Sequence, residues 1–329
     1  MSVVRIVEGV WLAKAMSVVI RLGIPDLLVD GPRSVDELAS LTASHSSSLH
    51  RVMRARAGQG VFECVGGTRF ALTESSSVLL PWAKLMLGEV HQGAWENLAY
   101  AVQTGESAFS HTYGVDLWRY CASNPAHARL FAAAMAEFTT TYIRGLLANY
   151  SFSKFGNIVD VGGGDGRLLV EILVTNPASR GILFERPEVV VQARLRISQA
   201  QLESRCEAVS GDALIEVPSG GDVYLLSRVL HDWDDAGARA ILSACAAAMG
   251  TSGRILVIER VMPASAEDLA ALPASVVSDM QLTDLNMMVM TTGRERSLRE
   301  YEVLFESAGL RLAAVVPTAT SISVLEAIA

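Results

Sequence analysis

The segment Asn157-Ile158-Val159-Asp160-Val161-Gly162-Gly163-Gly164-Asp165-Gly166 narrows the possible folds more sharply than any other part of the chain. Ile158, Val159 and Val161 form the short β-branched run of a buried parallel strand, and the glycines follow where that strand must turn into a helix. Without Cβ atoms, such a loop lets a ligand lie against bare backbone. Three readings are open: a tight βα turn, a dinucleotide fingerprint, or a nucleoside pocket with an acidic floor. The dinucleotide pattern G-x-G-x-x-G, counted from Gly162, requires glycine at 167, where the chain has Arg167. The pattern present is D-x-G-x-G-x-G. Asp160 would repel a pyrophosphate but suits a cationic or hydroxyl-bearing ligand.

Around this loop the C-terminal half alternates between strand and helix. Strands are expected at 158–161, 181–184, 208–209, 223–226 and 255–258, with helices near 167–175, 188–202 and 234–249. This pattern predicts a doubly wound α/β sheet. Residues 312–316 and 322–325, joined by Pro317-Thr318-Ala319-Thr320, are expected to close it as an antiparallel pair.

The N-terminal region differs. Apolar residues at helical spacing predict an amphipathic helix from Val4 to Arg21, ended by Gly23-Ile24-Pro25. Ser34 with Glu37 forms a capping box, and residues 46–58 form a helix with Leu49, Val52 and Met53 on one face. Residues 61–65 and 69–72 then pair as a hairpin across Gly66-Gly67. Helices followed by a hairpin give a winged-helix-like unit. Such units often bind DNA, but Arg51, Arg54 and Arg56 lack the broad basic face a DNA reader needs. Residues from Trp82 to Tyr150 read as helical, most clearly from Ala126 to Leu147. The expected division is a winged-helix-like dimerisation domain at 1–80, a helical linker at 81–150 that contributes to a substrate pocket, and a catalytic domain at 151–329.

With 27 basic against 35 acidic residues, the net charge is −8, which disfavours nucleic acid and anionic membrane as partners. Small molecules are the expected partners. An apolar content of 50% hints at surface buried against a second copy, so a homodimer is expected. Cys64, Cys121, Cys206 and Cys245 form no C-x-x-C pair, which suggests neither a zinc cluster nor a disulfide framework and fits a reducing cytoplasm. Arg5, Glu8, Lys14 and Arg21 interrupt the N-terminus too often for a signal segment or a membrane span.

Ligands of an open parallel sheet bind beyond the carboxyl ends of its strands. The polar residues gather there: Asp160, Glu185, Asp212, Ser227-Arg228 and Glu259 end five successive strands. Glu185 stands where a carboxylate accepts from both ribose hydroxyls, Asp212 can accept from an adenine amine, and Trp233 can stack on the ring. Each alone has a plain alternative as a cap or core aromatic, but together they describe adenosine. His231 follows strand four, and Glu259 and Glu295 can fold back to orient its ring, the arrangement of a general base for a phenol. Asp234-Asp235 reads as a helix N-cap.

Asp160 to Gly166, Gly211-Asp212, Leu230-His231-Asp232-Trp233-Asp234-Asp235, Glu259-Arg260-Val261-Met262-Pro263 and Gly293-Arg294-Glu295-Arg296 occur in this order. With these motifs the chain resembles the class I S-adenosylmethionine-dependent methyltransferases, specifically the caffeic-acid-type O-methyltransferase family and its bacterial natural-product members. The resemblance spans nearly the whole length and implies a Rossmann-like catalytic domain behind a dimerisation domain. It places Gly162 and Gly164 against the cofactor's methionine and ribose, with Glu185 on the ribose and Asp212 and Ala213 on the adenine side. Ser227 and Arg228 become further cofactor contacts, Ser227 where plant relatives usually have lysine. His231 matches the general base, bracketed by Glu259 and Glu295. Asp284, Asn286 and Met287 line the acceptor pocket, joined by Met135 and Phe138. The product is S-adenosylhomocysteine, and no metal is expected.

The chain departs from plant members at Glu185, commonly Asp, at Ala213-Leu214, where an aromatic is usual, and around Leu80 to Glu89, which is shorter. His231 favours O-methylation of a small aromatic secondary metabolite, phenolic, polycyclic or heteroaromatic. The alternatives are phenazine-type N-methylation, cofactor-dependent hydroxylation or decarboxylation, and a ligand-sensing DNA-binding regulator.

Overall fold

A computed structural model describes residues 3–58, 60–73, 80–318 and 320–329. Two compact units divide the chain, Met1–Gly93 and Ala94–Ala329. Among the described residues, no helix is long and apolar enough to cross a membrane.

In the first unit, strands β1 (Arg33–Ser34), β2 (Phe62–Cys64) and β3 (Arg69–Leu72) form an antiparallel sheet in the order β1-β3-β2. The β2–β3 hairpin is as the glycine pair predicts, whereas β1 is two residues long, too short to leave a periodic signal. The capping box at Ser34 is present: Ser34 Oγ accepts from the Glu37 N–H at 3.2 Å and the Glu37 carboxylate accepts from the Ser34 N–H at 2.7 Å. Leu38, Leu49, Met53, Phe62 and Phe70 are buried together in the unit's core. The first helix, Val3–Arg21, departs from the amphipathic expectation. Burial follows its length rather than a face: Met16 and Val19 pack into the core, while Val3, Val4, Ile6, Val7, Val10 and Trp11 are exposed.

The second unit is built on a seven-stranded sheet. Its parallel strands are β4 (Asn157–Val161), β5 (Arg180–Glu185), β6 (Cys206–Ser210), β7 (Val223–Ser227) and β8 (Arg254–Glu259). A short parallel pair, β9 (Val261–Met262) with β10 (Arg296–Ser297), lies outside that sheet. Strands β11 (Arg311–Pro317) and β12 (Ser323–Ile328) close the sheet antiparallel, as expected, although Ala319 of their connection lies outside the described residues. The order is β11-β12-β8-β7-β4-β5-β6.

Side chains alternate across each strand with period two, which separates two cores. Ile158, Leu225 and Leu256 face Leu169, Ile172 and Ala193 on one side. Val159, Tyr224 and Val257 face Ile241, Leu242 and Tyr301 on the other. The sheet is therefore doubly wound, as its strand–helix alternation predicts. From β4 the chain winds outward through β5 and β6, and from β7 in the opposite direction through β8. The reversal falls between β4 and β7, which opens a crevice where the glycine loop meets Ser227. The helix Pro125–Asn149 runs slightly beyond its predicted span and sends Tyr142, Ile143 and Leu146 into the core.

Candidate active site

The loop after β4 turns on left-handed glycines, Gly162 at φ 69° and Gly164 at φ 59°, conformations that side chains disfavour. The Gly162 N–H donates to the Phe184 carbonyl at 2.8 Å, and the Gly164 N–H donates to Glu185 Oε2 at 2.9 Å. A Cβ on Gly163 would stand 2.6 Å from Asp160 Oδ2, so the loop lies directly on that carboxylate. Asp160 is 1% exposed, and neither of its oxygens has a hydrogen-bond partner among the described residues. Burial, with the charges of Glu185 and Asp165 added, pushes its carboxyl up to about 7. Arg196, which donates to Asp165, neutralises only that neighbour. The loop thus has an acidic floor with no direct partner.

Glu185 also accepts from the Arg186 N–H at 2.7 Å. Asp212 is exposed, its Oδ1 accepting from the Leu214 N–H at 2.9 Å, and half-buried Ala213 packs against the core. Phe184, Val209, Gly211, Asp212, Ile215 and Val217 line a cleft of about 390 Å³ beyond β5 and β6. Trp233 is not isolated. It stacks on Trp118 at 6.0 Å between centroids, with the Arg186 guanidinium 4.7 Å from the Trp118 ring. Sequence reasoning missed both Trp118 and Arg186, because only the fold brings them beside Trp233.

Ser227 ends β7 with its hydroxyl 3.0 Å from the Tyr142 hydroxyl, a partner 85 residues away. Arg228 follows at φ 56° and lays its guanidinium 4.7 Å from the centre of the Phe138 ring. Met135, on the same helix as Phe138, is half-buried.

His231 sits on a short 3-10 turn, Leu230–Asp232, and is 3% exposed. Its Nδ1 is 2.9 Å from Glu295 Oε1. Glu259 also lies beside it, although Glu259 Oε1 accepts from the backbone N–H groups of Leu230 at 3.0 Å and His231 at 3.4 Å rather than from the ring. Burial opposes the imidazolium, but Glu259, Asp232 and Glu295 outweigh burial and Arg228, so the His231 pKa is raised above its ordinary value. Burial would likewise raise Glu295, yet His231, Arg228 and Arg260 hold its carboxyl down to about 2. Glu259 is raised by burial, with Glu295 contributing. The ligand atoms of His231, Glu259 and Glu295 lie within 4.8 Å of one another, a spacing that could also hold a metal ion, but Arg260 Nη1 already stands 3.9 Å from Glu295.

The segment carrying Glu295 is fixed from three directions. Arg296, fully buried, donates to the carbonyls of Leu230 at 2.9 Å and Trp233 at 2.8 Å and to Asp235. A Cβ on Gly293 would meet the His231 carbonyl at 1.9 Å, so only glycine permits this approach. The Glu295 N–H donates to Asp284 Oδ1 at 2.9 Å, so this carboxylate, read from sequence as pocket lining, holds the partner of the histidine. Asn286 accepts from Trp95 Nε1 at 3.0 Å, and Met287 is buried. Asp234 caps the next helix by accepting from the Gly237 N–H, whereas Asp235 pairs with Arg294 and Arg296.

A doubly wound sheet with a glycine cradle over an acidic floor, and a buried histidine–carboxylate pair on the same rim, defines a class I methyltransferase. Family models agree: residues 4–81 match the O-methyltransferase dimerisation domain and residues 95–311 the O-methyltransferase domain. The chain is 36% identical to a phenazine O-methyltransferase of Lysobacter antibioticus, covering 98% of this chain and 94% of that protein. It is 37% identical to a mitomycin biosynthesis 6-O-methyltransferase of Streptomyces lavendulae, over 95% and 89%. The solved structure of an O-methyltransferase from neocarzinostatin biosynthesis, in complex with S-adenosylmethionine and 2-hydroxy-5-methyl naphthoic acid, superposes with a TM-score of 0.80 at 30% identity, covering 96% and 95%. The chain belongs to the O-methyltransferase family and is an enzyme of the methyl-transfer class.

Proposed function

We propose that this enzyme transfers the methyl group of S-adenosylmethionine to a hydroxyl of a small aromatic secondary metabolite, with His231 as general base. One observation carries the reading: the buried His231–Glu295 pair, 2.9 Å apart, on the strand-end rim that also holds the glycine loop. The residues present suit the cofactor. Asp160 lacks a hydrogen-bond partner among the described residues, beneath three glycines without Cβ atoms, a setting that favours a cationic, hydroxyl-bearing ligand. Gly162 and Gly164 would meet it there, Glu185 would hold its ribose, and Asp212, Ala213 and Trp233 would flank its adenine. Ser227, steadied by Tyr142, adds a further contact. The cofactor supplies an electrophilic methyl on a sulfonium and leaves as S-adenosylhomocysteine.

A phenol with pKa near 10 is almost wholly protonated at neutral pH. His231 accepts that proton at Nε2, and Glu295 stabilises the resulting imidazolium at Nδ1 while fixing the ring. Glu259 anchors the backbone of the same turn. Met135, Phe138, Asn286 and Met287 supply apolar and polar walls for the acceptor, and none of these steps calls for a metal. The names of the relatives, a phenazine O-methyltransferase and a mitomycin biosynthesis 6-O-methyltransferase, support a small aromatic acceptor. The dimerisation match, together with the exposed apolar residues of the first helix, supports a homodimer.

The test separates binding from turnover in His231→Ala. Cofactor affinity, measured by calorimetry, is expected to hold while kcat falls about 10² to 10⁴-fold. Turnover near the wild-type rate sinks the general-base role. Product mass and fragmentation distinguish methyl transfer to oxygen from transfer to nitrogen and from hydroxylation or decarboxylation.

A further inference from the structure

Trp118, Arg186 and Trp233 come from three separate segments and pack as one stack. The two indoles lie 6.0 Å apart between centroids and within 25° of parallel. The Arg186 guanidinium stands 4.7 Å from the centre of the Trp118 ring and 5.9 Å from that of Trp233. Phe131, on the helix Pro125–Asn149, meets Trp118 edge-on at 5.7 Å and 87°, so this indole is braced from a second side. A cation against an indole face and a stacked pair of indoles are each attractive beyond the area they bury.

Each member is tied to a different part of the site. Trp118 belongs to the helix Leu117–Ser123. Arg186 directly follows β5, and its N–H donates to Glu185 Oε1 at 2.7 Å. Trp233 closes the turn that carries His231, its N–H donating to the Leu230 carbonyl at 3.2 Å and its carbonyl accepting from Arg296 at 2.8 Å. In the sheet, β5 and β7 lie on either side of β4. Two strand spacings come to about 10 Å, a gap that side chains of this length can bridge. The stack therefore reaches from one side of the strand that ends in the glycine loop to the other, and Trp118 is the member supplied from outside the sheet. Glu259 and Arg296 hold the main chain of the His231 turn from β8 and β10. The stack holds the same turn from the side of β5.

We propose that Trp118 and Arg186 are positioning residues: with Trp233 they clasp the end of β5 to the His231 turn across the end of β4, so that cofactor capture at Glu185 and the aim of the base are set together. The clasp rests on the methyl-transfer reading above and adds two residues to its machinery, one of them from the helical segment that precedes the sheet.

Turnover is measured at saturating cofactor with 2-naphthol and 3-hydroxy-2-naphthoate as acceptor probes, and S-adenosylhomocysteine affinity by calorimetry. Trp118→Ala is expected to lower both kcat and this affinity about 5- to 30-fold, and Arg186→Gln about 2- to 10-fold. The double variant should fall less than about twofold below Trp118→Ala, because either change opens the same clasp. Trp118→Phe, which keeps a ring against Phe131 and Trp233, should recover most of the loss. The decisive arm is the His231→Ala background: with no base to aim, adding Trp118→Ala should change the residual kcat less than about twofold while the affinity still falls. A further loss of kcat there as large as the loss in wild type marks plain packing and overturns the proposal. Wild-type kcat and affinity in Trp118→Ala, or fully additive losses in the double variant, overturn it too. If Trp118→Ala does not fold, Arg186→Gln and Trp118→Phe in the same two backgrounds decide by the same criteria. Transfer to neither probe by cofactor-saturated wild type refutes the methylation reading instead, and full turnover in His231→Ala refutes the general base; the affinities of the single and double variants then still decide the clasp by their non-additivity.

Discussion

Replacing Glu295 with Gln keeps the shape of the group beside His231 and removes its charge. The amide oxygen can still accept from Nδ1 at the observed 2.9 Å, so ring orientation is retained. What is lost is the charge-assisted part of the bond, about 1 to 1.5 kcal/mol. Unit charges about 4 Å apart attract by about 4 kcal/mol at an effective dielectric near 20, which sets the upper end of the loss. At about 1.4 kcal/mol per pKa unit, the His231 pKa should fall by roughly one to three units.

The sign follows from which form works. A general base acts when neutral, so activity disappears as pH falls through its pKa. In wild type the carboxylates around His231 raise that pKa, so the acid limb of kcat/KM should lie above the ordinary histidine value of 6.5. In Glu295→Gln the limb should move to lower pH, since burial now weighs more against the imidazolium, and the plateau rate should fall about 5- to 30-fold because the base is weaker. The assay is kcat/KM against pH from 5.5 to 9.5 for both proteins. A limb that stays in place, or moves to higher pH, refutes the account of how Glu295 acts.

Two further outcomes are expected. Gly293→Ala inserts a methyl where the nearest atoms are backbone of His231, Asp232 and Trp233, none of which can yield as a side-chain tip would; stability should fall by about 1 to 3 kcal/mol with a steep loss of kcat, and an unchanged melting temperature with normal turnover would contradict the close approach. Asp160 has its carboxyl raised from 3.8 to about 7, so the fold gains stability from its proton at low pH and loses it as pH rises through 7; urea unfolding should show Asp160→Asn gaining on wild type by a few kcal/mol between pH 4 and 8, and a parallel pH dependence would refute the assignment.

Much of the second unit is legible in the sequence because its signals are local. The β-branched run before the glycines, the strand–helix alternation and the Ser34 capping box each need only neighbouring residues. The polar strand ends are legible for the same reason, since chain order places them on one rim. What is hidden depends on distant partners. Tyr142 meets Ser227 across 85 residues and Arg296 meets the Leu230 carbonyl across 66, with nothing local to announce either. The family resemblance marks Asp284 as pocket lining, and only the fold shows its carboxylate accepting from the Glu295 peptide. The uneven burial of the first helix is likewise invisible to periodicity, because it depends on where the core ends.

The two-residue ladder between β9 and β10 has a wider meaning for how such an enzyme changes. It ties Val261 to Arg296 through backbone, joining the strand that ends in Glu259 to the segment that carries Glu295. The residues proposed to remove the proton are therefore held by main chain and a buried arginine, while the helix Ala274–Met290 would contribute to the proposed acceptor wall through side chains. On the proposed reading, mutational drift along that helix reshapes what is accepted without re-aiming the base, provided Asp284 stays. Chemistry and taste are inherited separately.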